Sequence, residues 1–333
     1  MTKNPLFVNH KIWEAYTDTE LEDYTLKVYN HFKTNGFPHF DLTDKQIINV
    51  YNKMVELDTS TLISGDTLKQ IMVGLNLVNY YMPHMWEVQC NSFTSPMECF
   101  NDDEMLMKAV KKRIKLGDNM SDAGMRKALS WTHGTHRVSN FRPSIAKYIY
   151  DNYSGSGDVL DFSSGFGGRL LGAMSCDKLS SYTGTDPSTK TYNGLERMVQ
   201  ELDTFPDIHL HNKPFEDLDL EEDFYDLSFS SPPYFNTEEY SYEDTQSFVR
   251  YNTSDEWKEN FLKVIIEKNY KYIKKGGYFI INVANVKTYK TLEEDTIELS
   301  KQAGFNYIKT YKMTLSSLMK SGFKYEPIFV FQK

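Results

Sequence analysis

Cysteine is scarce in this chain. Cys90, Cys99 and Cys176 are the only three among 333 residues. They are scattered, with no C-x-x-C pair, so neither a zinc nor a disulfide framework is expected. His133 and His136 lie close in sequence but lack further ligands, so no metal site is expected either. Long apolar runs are also missing. No stretch is long enough to cross a bilayer, and the N-terminus has no signal-peptide core. The expectation is a cytoplasmic protein without a membrane partner. Internal repeats and low-complexity tracts are absent. Positive charge is in deficit, with 37 Lys and Arg against 46 Asp and Glu, a net of −9. That balance counts against a protein that grips phosphates with its whole surface.

Aromatic residues are plentiful: 23 Tyr and 21 Phe supply a sizeable core, and the length is enough for two domains. The pattern changes near Ser139. Before it, Leu21 to Phe32, Asp44 to Leu57, Gly65 to Tyr81 and Asp103 to Leu116 carry apolar residues at helical spacing. Thr43 and Ser64 are placed as N-caps. Residues 1–139 are therefore expected to form a helical N-terminal domain, and 140–333 a second domain.

After Ser139, strands alternate with helices. Strands are expected at Asp158 to Phe162, Tyr182 to Thr185, Ile208 to Asn212, Phe224 to Ser230 and Tyr278 to Val283. Helices are expected over Phe141 to Asn152, Arg169 to Ser175, Thr189 to Leu202, Asp255 to Ile273 and Leu292 to Ala303. Lys274-Lys275-Gly276-Gly277 reads as a helix stop. Asn306 to Met313 and Ile328 to Gln332 complete the pattern as a final pair of strands. Such alternation implies an α/β fold with a mostly parallel sheet covered on both faces.

Four motifs fall at strand ends. Asp161-Phe162-Ser163-Ser164-Gly165-Phe166-Gly167-Gly168-Arg169 reads as strand, glycine turn and helix. Its glycines permit a tight turn and close approach of a ligand. Arg169 is placed either to bind a ligand carboxylate or to form an ion pair. Asp186 ends the next strand, where an acid accepts from ribose hydroxyls or caps the following helix. Phe215-Glu216-Asp217 follows the third strand. Ser231-Pro232-Pro233-Tyr234 follows the fourth. Two prolines cannot continue a ladder, so they fix a stiff turn with free carbonyls. The Pro232 carbonyl and Ser231 hydroxyl are placed to accept from an amine, and Tyr234 to stack on a flat ring. In an open parallel sheet, ligands bind beyond the carboxyl ends of the strands, so these motifs converge on one crevice.

The chain from Asn140 to Lys333 resembles the S-adenosylmethionine-dependent amino-methyltransferases that act on exocyclic base nitrogens of DNA. Ser231-Pro232-Pro233-Tyr234 matches that family's [DNS]-P-P-[YFW] fully. Asp161 to Gly167 matches its D-P-F-x-G-x-G loosely, with Phe162 and Ser163 replacing Pro and Phe. The resemblance implies a Rossmann-like methyltransferase sheet with an antiparallel last hairpin, S-adenosyl-L-methionine as cofactor, and DNA as partner. It implies that Phe141, Arg142 and Pro143 help hold the methionine end. Asp161, Phe162, Ser163, Gly165, Gly167, Arg169 and Asp186 would line the cofactor, and Glu216 would meet the adenine. Ser231 leans towards cytosine-N4 without excluding adenine-N6.

Two stretches are expected to meet substrate. Lys111, Lys112 and Arg113 sit in the densest basic cluster, a candidate phosphate patch. Phe235 to Glu256 is a long polar, aromatic loop, in which Gln246 and Arg250 are candidates for contact with the target. The alternatives are an RNA or protein-glutamine methyltransferase on the same fold, or a non-catalytic nucleic-acid-binding module.

Overall fold

The computed structural model describes residues 10–117, 120–317 and 323–333. The chain separates into two compact units rather than at a single boundary near Ser139. One unit holds the residues up to Asp41 together with Pro83–Val138; the other holds Leu42–Met82 and Ser139–Lys333. No helix among the described residues is long and apolar enough to cross a membrane.

The first unit is helical. Asp18–Asn35 starts at a capping box, in which the Glu20 carboxylate accepts from Thr17 N at 2.8 Å. It packs on Asp103–Lys115, which in turn packs on Asp122–Trp131. Arg126 is buried, donating to Pro38 O at 2.7 Å with its guanidinium 3.9 Å from the Phe40 ring centre.

The strands, in chain order, are β1 Ile63–Ser64, β2 Thr67–Leu68, β3 Gln89–Cys90, β4 Asp158–Asp161, β5 Ser181–Thr185, β6 Asp207–His211, β7 Tyr225–Ser230, β8 Glu238–Glu239, β9 Ile273–Asn282, β10 Asn306–Ser317 and β11 Phe323–Gln332. Nine of them build one sheet in the order β1-β2-β10-β11-β9-β7-β4-β5-β6. From β6 to β9 all neighbours are parallel, and β11 runs antiparallel to both β9 and β10. This is the mostly parallel, Rossmann-like sheet with an antiparallel final hairpin that the alternating pattern implied; the tip of the hairpin lies outside the described residues.

The central strands are apolar on both faces because helices cover both. Val159, Leu160, Leu227, Phe229, Phe279, Ile280 and Ile281 have no exposure at all. On one face, Phe279 stacks on Phe305 with ring centres 4.9 Å apart. Trp257 lies 4.8 Å from Phe261 in the same core.

Up to Ser230, elements after Ser139 fall within two residues of the pattern. Three expectations fail. Gly65 to Tyr81 is not one helix. Ser64 ends β1 rather than capping a helix, β2 joins the sheet edge alongside β10, and only Leu75–Tyr81 is helical. Gly74 at φ +81° precedes that helix in a conformation that a continuous helix cannot contain. Residues 42–82 belong with the sheet because the helix Pro143–Tyr153 holds them. Lys147, 5 % exposed, donates its ammonium to the carbonyls of Met54, Val55 and Ser175 at 2.8, 2.6 and 2.9 Å. Lys274 to Gly277 is not a helix stop. The helix ends at Tyr272 and those residues open β9, where Gly276 and Gly277 exchange backbone bonds with the last residue, Lys333.

Candidate active site at the carboxyl ends of the strands

The site is organised by one buried carboxylate. Asp161 ends β4 with no solvent exposure. Its Oδ2 accepts from Arg169 Nε at 2.9 Å and from the Tyr182 hydroxyl at 2.7 Å. Its Oδ1 accepts from the Ser230 hydroxyl at 2.7 Å and from Ser163 N at 3.3 Å. The partners come from β5, from β7 and from the helix Gly168–Met174, so one charge ties three strands and the turn. Arg169, 3 % exposed, also donates to Ser163 O, and its guanidinium lies 5.5 Å from the Phe141 ring centre. Of the two readings of Arg169, the ion pair is present in the fold.

The glycine turn follows directly. Gly165 at φ +54° and Gly167 at φ +77° adopt the left-handed region that only glycine enters freely. A Cβ on Gly168 would stand 2.0 Å from Phe141 O, so the strand-to-helix turn presses on the segment before the helix Pro143–Tyr153. Asn140 Nδ2 closes that contact by donating to Phe166 O at 3.1 Å. Arg142 is held nearby, donating to Gln70 Oε1 at 2.9 Å and to Asn140 O at 3.0 Å. Pro143 opens its helix at the first turn, where its missing N–H costs nothing.

Asp186 sits just past β5 and is 9 % exposed. Its carboxylate accepts from Gly165 N and from Ser188 N, each at 2.9 Å. It therefore clasps the glycine turn, while Ser188, not Asp186, caps the helix Thr189–Glu201. Burial raises its pKa to about 7 against the opposing pull of the two backbone donors. Glu216 follows β6 in the turn Phe215–Asp217 with a side chain 6 % exposed. Burial raises it too, although Arg250 lies 3.4 Å away.

Arg250 is engaged with acids. It pairs with Glu216 and, at 2.7 Å, with Asp217. Its neighbours bind the same region: Glu243 accepts from Thr189 N at 3.1 Å, and the Thr245 hydroxyl donates to Pro187 O at 3.3 Å. The stretch from Glu243 to Arg250 is thus strapped across the ends of β5 and β6. Gln246 lies within it, 5 % exposed.

Ser231-Pro232-Pro233-Tyr234 continues from β7. The Ser231 hydroxyl donates to Asn282 Oδ1 at 3.3 Å, and the Tyr234 hydroxyl reaches Asn282 O and Oδ1 at 3.4 Å. Asn282, 1 % exposed at the end of β9, donates in turn to Pro327 O at 2.8 Å. Sequence pattern missed Asn282, whose signal is a lone amide ending an apolar strand. After the motif, Phe235 takes φ +55°, a strained value for an aromatic residue, and buries its ring against Trp257. Two acids flank the turn. Glu238 accepts from the Tyr240 hydroxyl, and Tyr240 meets Phe166 of the glycine turn with ring centres 5.6 Å apart. Burial lifts Glu238 to about 7 and also raises Glu326. Burial holds the Tyr234 phenol well above its ordinary value, and both acids push it further.

The basic cluster divides in the first unit. Lys111 is exposed, and Lys112 donates to Trp131 O. Arg113 is 8 % exposed, because its helical position faces the core alongside Leu106 and Val110, so it does not offer its charge to solvent. Among the described residues no cluster of His, Cys, Asp and Glu is arranged to hold a metal.

No protein-family model and no curated protein matches the chain. Solved structures similar to it include a methyltransferase from Pyrococcus furiosus, at 18 % identity over 57 % of this chain and 82 % of that one, with a TM-score of 0.41. A tRNA (m1A58) methyltransferase from Aquifex aeolicus shows 12 % identity over 59 % and 71 %, at 0.39. A geranyl diphosphate C-methyltransferase from Streptomyces coelicolor shows 12 % over 57 % and 78 %, at 0.40. At these identities and scores the likeness says nothing of what this chain binds or acts on. The fold rests on the strand order itself.

Two outcomes are expected. Arg169→Met should lower the unfolding free energy by about 3–5 kcal/mol in denaturant titration, because it leaves Asp161 buried without its charge partner. Asp186 and Glu238 rise from 3.8 and 4.5 to about 7 in the fold, so the folded protein holds their protons more tightly than the unfolded chain. Their contribution is best below the unfolded values and is lost as pH rises towards 7. Melting temperature should therefore fall between pH 5 and pH 7, and Asp186→Asn with Glu238→Gln should flatten that slope.

Proposed function

We propose that the chain is an S-adenosyl-L-methionine-dependent methyltransferase acting on an exocyclic amine of a DNA base, cytosine-N4 or adenine-N6. The observation that carries this reading is the Ser231-Pro232-Pro233-Tyr234 turn. It leaves β7 next to the strand whose glycine turn and Asp161 resemble a cofactor site. The residues present fit the cofactor. The turn at Gly165 and Gly167 is open to close approach, and Asp186 and Glu216 are buried acids at the next two strand ends. Of the ten buried side-chain polar atoms without a hydrogen-bond partner among the described residues, three, Asn236 Oδ1, Thr237 Oγ1 and Gln246 Nε2, lie in the stretch that follows the Pro-Pro turn.

Phe141, Pro143, Phe162, Ser163, Gly165, Gly167 and Asp186 would hold the cofactor, with Glu216 beside its adenine. Arg169 would act through Asp161 rather than by touching the ligand. When bound, the cofactor supplies a methyl group made electrophilic by its sulfonium. The chain's own task is to align an amine nitrogen and relieve the charge that develops there. Ser231 donates its hydrogen to Asn282, which leaves its oxygen free to accept from the amine together with the Pro232 carbonyl. Tyr234, pinned by Asn282, would hold the ring face. No strong base is needed, because the amine proton becomes acidic once the methyl is in place. A duplex target would have to be flipped out, at about a few kcal/mol. Lys111 and Lys112 would contact phosphates.

A second reading on the same fold puts the amine in RNA or in a protein glutamine; the net charge of −9 favours the glutamine, because RNA is as anionic as DNA. Incubation with methyl-labelled cofactor and DNA, RNA or protein, followed by nucleoside and amino-acid mass analysis, separates the two. Label in N4-methylcytosine or N6-methyladenine supports the first reading. Label only in RNA or glutamine supports the second, and label nowhere, with no cofactor binding, leaves a non-catalytic module. Tyr234→Ala should lose about a hundredfold in turnover and keep its cofactor affinity.

A further inference from the structure

Ten buried side-chain polar atoms among the described residues have no hydrogen-bond partner, and the Gln246 amide nitrogen is the one in the stretch anchored on the ends of β5 and β6. The residue is 5 % exposed, and its Nε2 has no hydrogen-bond partner among the described residues. Its main chain is fully used: the N–H donates to Glu243 O, and the carbonyl accepts from Val249 and Arg250. A buried amide nitrogen with two unused hydrogens is costly in the folded state. Such a group persists where something else completes it.

Strand order says what that something is. Gln246 is bracketed by anchors on the ends of β5 and β6: Glu243 on Thr189, Thr245 on Pro187, and Arg250 on Glu216 and Asp217. The target-binding turn leaves β7 on the other side and is tied to β9 through Asn282. Neighbouring strands stand about 4.8 Å apart, so β5 and β6 lie roughly 10–14 Å from β7. The amide therefore belongs to the side where a nucleoside would sit on Asp186 and Glu216, not to the side of the methyl acceptor. When ionised, both of those acids can only accept. Gln246 adds the missing donor, which suits a ring nitrogen or ribose oxygen.

We propose that Gln246 is a nucleoside-binding residue, donating from Nε2 to the adenosine half of the cofactor, and that Glu243–Arg250 is the wall of that pocket rather than a substrate contact. This rests on the reading of the crevice as a cofactor site. Calorimetric titration with S-adenosylhomocysteine and with adenosine alone tests it. In Gln246→Leu, affinity for both ligands should fall by about tenfold and by the same factor. The ligand-free variant should melt no lower than the wild type, because an unpartnered buried donor has been removed. Gln246→Glu, which keeps the size but replaces the donor, should weaken both ligands likewise, and it decides the matter if the leucine variant does not fold. Wild-type affinity in both variants would overturn the proposal, as would weakened S-adenosylhomocysteine binding with adenosine unchanged. A wild type that binds neither ligand would overturn the cofactor reading, and this one with it.

Discussion

Asp161 carries a charge at a point with no access to water, and four donors from different elements converge on it. A buried carboxylate is tolerated only when it is paired and its lone pairs are filled. Here the requirement fixes geometry. Arg169 must stand in the first turn of its helix, which sets the glycine turn. Ser230 must end β7 facing β4, which sets where the chain enters Ser231-Pro232-Pro233-Tyr234. Tyr182 must lie inward on β5, which sets the approach to Asp186. The turn proposed to hold cofactor and the turn proposed to hold the amine are thus referred to one atom pair.

The rest of the crevice is built outward from that constraint. Asp186 clasps the glycine turn from β5 through Gly165 N, and Asn282 clasps the Pro-Pro turn from β9. Each clasp uses a buried polar residue. The acids at 186 and 238 are held near neutrality of charge by burial, so the site can accept or release protons close to pH 7.

Much of this was legible in the sequence, and the residues show why. Asp161, Asp186 and Ser231 end or directly follow β4, β5 and β7, Gly165 and Glu216 lie in the turns just beyond β4 and β6, and in a parallel sheet strand ends gather on one edge whatever the details. What escaped was tertiary. Arg113 shares the sequence run of Lys111 and Lys112, but its position on the helix turns it inward. Residues 42–82 read as helical company for the N-terminus, yet Lys147, a surface-type residue by composition, reaches through to their carbonyls. Gly276 and Gly277 carry the signature of a helix end, and pairing with Lys333 draws them into β9 instead. Asn282 carries no motif at all; only its burial marks it, whereas Gln246 stands out in the sequence as a candidate for target contact in the long loop.

The central claim is that the ends of β4, β5 and β6 and the strap Glu243–Arg250 form one ligand site. Amide hydrogen exchange of the intact protein, with and without S-adenosylhomocysteine, tests it most directly. The account predicts slowed exchange together at 161–169, 185–189, 214–218 and 243–250, with the helices of the first unit unchanged. Protection confined to one of these segments, or none with saturating ligand, would contradict it.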